Sequence, residues 1–347
     1  MEFLIEYGLF LAKAVTLVIA IIVIIGAIVS AGSKSKSQQH PGSITITNLS
    51  EELSELETDM RKEIMDKEAF KQFQKAQKQS HKQQAKEEPQ STDVASERLF
   101  IVDFNGDVQA SAVENLREEL SAIIGVAEQG DEVLVRLESP GGMVHSYGLA
   151  ASQLQRLKSR GIKLNVAVDE VAASGGYMMA CVADRIYSAP FAIIGSIGVL
   201  GQLPNFSRLL KQNHVDFEQH TAGEFKRTLT MFGENTDKAR EKFKEDLENT
   251  HQLFKAFITE NRPELDIDRV ATGEHWYGRE ALELGLVDQV ITSDDIILKA
   301  AKDKTVFKVK YEIKKPLSER LPISLLKASH NALLNLWYRG ESQKFYK

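Results

Sequence analysis

The stretch DEVAASGGYMMA, residues 169–180, places a serine and two glycines where an apolar, strand-like run gives way to small and apolar residues. A serine there could serve as a nucleophile. It would need a base for its proton and donors for the oxyanion formed on a carbonyl. At a helix start the donors come from geometry, because the first backbone N–H groups are unpaired and the dipole favours negative charge. Gly175 leaves room for a carbonyl beside Ser174, and a second junction, SPGG at 139–142, lets the backbone of Gly141 and Gly142 approach closely. The amides of Gly142 and Gly175 could then cradle one oxygen. The same residues also suit ordinary helix caps and βα turns, with Ser139 and Ser174 as turn residues.

The base is open at this level. His145, His214, His220, His251 and His275 sit in no recognisable catalytic setting, and no HxxxH metal spacing occurs. Lys226, in TAGEFKRTLT, lies among Phe225, Leu229, Met231 and Phe232. An amine desolvated there could be held neutral and take a serine proton, as in Ser–Lys variants of the triad. It reads equally as a surface lysine beside Arg227. Cys181 stands alone in the sequence, which excludes an internal disulfide and a Cys-based zinc site, and its apolar run suggests a small buried side chain.

The elements that must position these residues alternate. LFIVDF, DEVLVRLE and KLNVAVDEVAA read as strands, while 111–128 and VHSYGLAASQLQRLKSR carry apolar residues at helical spacing. This βαβ pattern predicts an α/β fold with a parallel sheet, whose ligands gather at strand carboxyl ends. Downstream, NFSRLLKQNHV and residues 235–263 predict helices, the second with Phe243, Leu247, Leu253, Phe254 and Phe257 on an apolar side. YGREALELGLVDQV predicts a turn, a short helix, Gly285 and a strand; TVFKVKYEI predicts another strand.

The flanks differ in character. Ala14 to Ser33 carries no charge over twenty residues, which at helical rise spans about 30 Å, the hydrocarbon thickness of a bilayer. Glu2 and Glu6 with a single preceding lysine make a poor signal-peptide start, so a retained anchor is expected. The lysines around the span lean weakly toward a cytoplasmic C-terminal side. Residues 34–97 read as a charged helical stalk. Ser50 is the expected N-cap, Leu53, Leu56, Met60 and Ile64 an apolar stripe, and Lys67, Lys71, Lys75, Lys78, Lys82 and Lys86 a basic stripe that is solvated or lies near anionic lipid. An amphipathic helix is expected over 324–340. The net charge of −6 argues against nucleic acid as a partner. The expected division is an anchor over 1–33, the stalk over 34–97, a catalytic domain over 98–300 and an extension over 301–347.

SPGG, VAASGGYMMA, ADRIYSAP with IIGSIGVLGQ, TAGEFKR and YGREALELGLVD, in this order, resemble the signal-peptide-peptidase A family of serine peptidases, family S49. The resemblance covers residues 98 to 295 by motif. It implies the fold shared by the caseinolytic protease ClpP and the crotonases. It also implies that Ser174 is the nucleophile, Lys226 the general base, Gly142 and Gly175 the oxyanion amides, and Ser196 a hydroxyl that orients Lys226. It implies no cofactor and no metal. Its other implications are unfolded-protein or signal-peptide substrates, a homo-oligomer, and a single-pass protein of the bacterial inner membrane with a periplasmic catalytic domain, against the lysine count. A crotonase-type acyl-CoA enzyme and a non-catalytic membrane scaffold are the rival readings.

Overall fold

The computed structural model describes residues 42–76 and 97–313, together with Tyr7, Gly8 and Thr16. Residues Ile44–Tyr311 form one compact unit; the second unit, 1–43 and 312–347, contributes few described residues. The expected Ala14–Ser33 span, apart from Thr16, and the expected helix over 324–340 lie outside the described residues. Among the described residues no helix is long and apolar enough to cross a membrane.

The alternation predicted from Leu99 onward builds a mostly parallel α/β structure. Strands β1 (Gly42–Asn48), β2 (Arg98–Asn105), β3 (Glu132–Glu138), β4 (Lys163–Val168), β6 (Arg185–Ser188), β9 (Gln289–Val290) and β10 (Thr305–Ile313) form a seven-stranded sheet in the order β1-β10-β2-β3-β4-β6-β9. The pairings from β10 to β9 are parallel. A smaller sheet holds β5 (Val171–Ala173), β7 (Ile193–Gly195) and β8 (His275–Tyr277).

The central strands are near-continuous apolar runs because both sheet faces are covered. Phe100, Val102 and Phe104 of β2 pack under α2 (Val113–Val126) and α3 (Val144–Lys158), with Leu116, Leu120, Ile123, Leu154 and Leu157 in the same core. Leu99 and Ile101 point to the other face, where α1 (Leu49–Ile64) and α9 (Ser293–Ala300) supply Leu49, Leu53, Ile296 and Ile297. Three further helices complete the core side: α4 (Gly175–Ala180), α6 (Asp237–Asn261) and α8 (Gly278–Glu283). Two short helices, α5 (Ser207–Gln212) and α7 (Ile267–Val270), join the rest.

Several elements differ from the sequence reading. KLNVAVDEVAA is two strands. The Glu138 carboxylate accepts N–H bonds from Asp169, Glu170 and Val171, and this bends the chain from the large sheet into the small one. Residues 42–48, read as stalk, are a sheet strand. Asn48, not Ser50, caps α1 through Glu51 N–H; the Ser50 hydroxyl instead accepts from Val306 N–H of β10. Of the expected stripe on α1 only Leu53 packs on the sheet, while Leu56, Met60 and Ile64 are exposed. On α6 the buried residues are Phe254 and Ile258, and Leu253 is exposed.

Two buried groups stand out. Glu119 of α2 accepts from Tyr311 N–H at 2.8 Å, its second oxygen has no partner among the described residues, and burial pushes its carboxyl up to about 7. Cys181 is fully buried, as expected, and burial pushes its thiol up to about 12.

Candidate active site

Ser174 occupies the one-residue turn between β5 and α4. Its φ of 53° and ψ of −118° lie where residues with a Cβ rarely go. Such a conformation persists only where the surroundings over-determine it, and it is the geometry of a strained strand-to-helix turn that lifts a side chain clear of the sheet. The surroundings are visible. Ser174 N–H donates to Gly195 O at 2.8 Å, Met178 N–H donates to Ser174 O at 3.0 Å, and β5 is held in parallel register with β7 from Val171↔Ile193 to Ala173↔Gly195.

The SPGG turn closes on the other side of β5. Ser139 pairs with Ala172, with Ser139 N–H donating to Val171 O and Ala173 N–H to Ser139 O. Gly141 has φ +88°, and a Cβ there would stand 2.7 Å from Ser174 Cβ and 2.8 Å from Gly175 N. A Cβ on Gly142 would meet Val108 O at 2.1 Å, and one on Gly175 would meet Tyr147 Cγ at 2.4 Å. These three positions therefore exclude any side chain. Gly142 N–H makes no hydrogen bond among the described residues, and Gly175 is the first residue of α4, where the N–H has no helical acceptor.

Ser174, Gly142 and Gly175 line one small cavity together with Val144, Met178, Gly198, Val199, Thr250 and Phe254. Its volume of about 10 Å³ is close to the minimum for one water. Val199 and the α6 residues Thr250 and Phe254 form the wall of this cavity contributed from outside the two glycine junctions. Thr250 and Phe254 were invisible to the sequence reading as site residues, since an amphipathic pattern does not tell what its apolar side covers.

Ser196 follows Gly195 as Ser174 follows Ala173, so the two serines leave neighbouring strand ends. It too has positive φ, 50°, and its N–H donates to Glu274 O at 2.7 Å. Lys226 is elsewhere in kind. It sits on an exposed segment, its N–H donates to Gly223 O, and neither its amine nor the Ser174 hydroxyl has a hydrogen-bond partner among the described residues. No histidine bonds Ser174 among the described residues; His220 pairs with Glu218.

The GLVD motif acts as an anchor. Tyr177 of α4, fully buried, donates its hydroxyl to Leu286 O at 2.9 Å. Asp288 accepts from Ile186 N–H and from both terminal nitrogens of Arg262. The helix that follows Ser174 is thus tied to the loop between α8 and β9.

Comparison with known proteins places this geometry. The family described as "Peptidase family S49 N-terminal" matches residues 2–154, and "Peptidase family S49" matches residues 156–307. "Probable protease SohB" of Haemophilus influenzae is 52% identical over 326 residues, 92% of each chain. The protein of the same name from Buchnera aphidicola subsp. Acyrthosiphon pisum is 58% identical over 241 residues, 70% of this chain and 72% of its own. "Protease 4" of H. influenzae is 26% identical over 170 residues, 48% of this chain and 28% of its own. With both parts of the family pattern matched in tandem and a protease alike along 92% of its length, the chain belongs to peptidase family S49.

Proposed function

We propose that the chain is a membrane-anchored serine endopeptidase in which Ser174 attacks the scissile carbonyl and Lys226 is the general base. The observation that carries this reading is the backbone of Ser174. It is held at φ 53° on a strand-to-helix turn, and the residue lines one cavity with Gly142 and Gly175. A residue kept in a costly conformation by its surroundings points to function.

In the proposed reaction the Lys226 amine takes the Ser174 proton as Oγ bonds to the carbonyl carbon. The carbonyl oxygen becomes an oxyanion that accepts from Gly142 and Gly175 N–H. Each such donor contributes roughly 10²–10³ in rate in comparable hydrolases. Collapse breaks the C–N bond, the Lys226 ammonium returns a proton to the leaving amine, and an acyl-Ser174 ester remains. Water, deprotonated by Lys226, then releases the acid. Ser196 orients the amine.

Lys226 must reach Ser174 for this to run, and the reading places that meeting between copies of the chain. The 200–236 segment supports it. Phe206, Leu209, Val215, Phe217, Phe225 and Phe232 of this segment are each more than two-fifths exposed, apolar surface that a second copy could cover. The anchor over residues 14–33 holds the assembly on the inner membrane with the catalytic domain on the periplasmic side, where unfolded proteins and released signal peptides are the substrates.

The test is hydrolysis of a peptide library and an unfolded protein by the full chain beside Ser174→Ala and Lys226→Ala. Both variants are expected to be inactive, and mixing them is expected to restore part of the activity, because each supplies the group the other lacks. Wild-type turnover by either variant refutes the dyad.

A further inference from the structure

Tyr147 of α3 is fully buried, yet its hydroxyl is in a polar chain. It donates to Asp107 O at 2.8 Å and lies 2.5 Å from Ser139 Oγ. A tyrosine hydroxyl has one proton, and Asp107 O can only accept it. Ser139 Oγ must therefore donate to Tyr147, and it accepts in turn from Gly141 N–H at 3.1 Å. Every proton in the chain is assigned: Gly141 N–H to Ser139 O–H to Tyr147 O–H to Asp107 C=O. Asp107 is itself fixed, its carboxylate accepting from Gln109 N–H, Ser111 N–H and the Ser111 hydroxyl. The chain thus ties the SPGG turn to the loop after β2.

The ring of the same residue touches the other half of the site. Gly175 rests on it so closely that an added Cβ would fall 2.4 Å from Tyr147 Cγ and 2.7 Å from Cδ2. One side chain therefore meets both glycine junctions, by hydrogen bond on one side and by contact on the other.

We propose that Tyr147 is a positioning residue that sets the two oxyanion amides relative to each other, Gly142 through the Ser139–Gly141 turn and Gly175 against its ring. This rests on the Ser174 reading above. An oxyanion hole depends on where its donors point, so a small rotation of the turn weakens the transition state more than substrate binding.

The test is Tyr147→Phe in the full chain, which keeps the ring and removes one oxygen. The expected result is a kcat lower by about 10-fold or more with KM within about 2-fold of wild type. A peptide aldehyde, whose serine adduct carries the same oxyanion, is expected to bind more weakly by a similar factor. Ser139→Ala interrupts the same chain at its next link and is expected to give the same pattern. The double variant is expected to lose little beyond the larger single effect, since both act on one chain. If Tyr147→Phe fails to fold, Ser139→Ala decides by the same readouts. Wild-type kcat and aldehyde affinity, with only a lower Tm, would make Tyr147 a core residue and overturn the proposal. Ser174→Ala, run alongside, separates the two levels: an inactive Ser174→Ala with an unaffected Tyr147→Phe removes only Tyr147, whereas an active Ser174→Ala removes the nucleophile itself.

Discussion

The junction that carries Ser174 is fastened on every side, by Gly195 across β7, by Ser139 across β5 and by Tyr177 to Leu286. The 200–236 segment that carries Lys226 is bonded mostly to itself, through Phe206 N–H to Met231 O, Asn205 to Thr230 O and Lys211 to Glu234, and leaves aromatic side chains half exposed. The proposed nucleophile and oxyanion donors belong to the strand ends of a packed core, where backbone bonds within one chain hold their geometry. On the proposed reading, the contrast separates a strained, packed half of the site from an exposed half that a second copy brings to it.

The comparison is broken most directly through activity. Ser174→Ala and Lys226→Ala are each expected to lower kcat/KM by about 10³-fold or more, measured on an unfolded-protein substrate. Their stabilities should tell the two regions apart. Lys226→Ala is expected to leave ΔG of unfolding within about 0.5 kcal/mol of wild type, as for an exposed side chain.

Gly175→Ala has the next largest effect, and it is on stability. The added methyl meets the buried Tyr147 ring, so denaturant unfolding is expected to show a loss of about 3 kcal/mol. An equivalent change in the other region, Gly223→Ala, has open space but sits at φ +94°, so its cost is backbone strain of roughly 1 kcal/mol.

A pH effect of a buried carboxyl belongs to the packed region. Burial holds the Glu119 carboxyl at about 7, above its ordinary value of 4.5. The folded chain therefore keeps a proton there that the unfolded chain releases. This contribution is fully present below the ordinary value and is lost as pH rises through the folded one. Glu119→Gln is expected to flatten that slope, a difference on the order of 2 kcal/mol between thermal or denaturant melts at the two ends of the window.

The smallest expected effect sharpens the contrast most. Ser174→Gly removes the Cβ that makes φ 53° costly, so it is expected to gain about 1 kcal/mol of stability while abolishing turnover. A stability loss instead would mean that the Ser174 side chain packs rather than strains.

Much of the fold was legible because the strands are covered on both faces and so read as apolar runs, and because Leu116, Leu120 and Ile123 repeat at helical spacing on α2. What was hidden depends on partners far along the chain. The bend after Val168 is set by Glu138, about thirty residues earlier, and β1 is a strand because of its neighbour β10. Asn48 and Ser50 are both good caps by type, and only the Val306 amide decides between them. In the site, Ser174, Gly142 and Gly175 were legible as small residues at strand ends. Tyr147 looked like any core aromatic of an amphipathic helix, since nothing in its local pattern shows which atom its hydroxyl reaches. The relation of Lys226 to Ser174 is likewise not a property of either local pattern.

The strand order has a consequence for how the chain is made. β10 lies between β1 and β2, so among the described strands the first to be made waits beside a gap for the last. Through most of translation the β2 border is an open template, and the Ser50 hydroxyl has no Val306 amide to receive. A nascent chain stalled before Thr305 therefore has the three-stranded sheet that carries Ser174 in full, while the β2 border of the large sheet is still open.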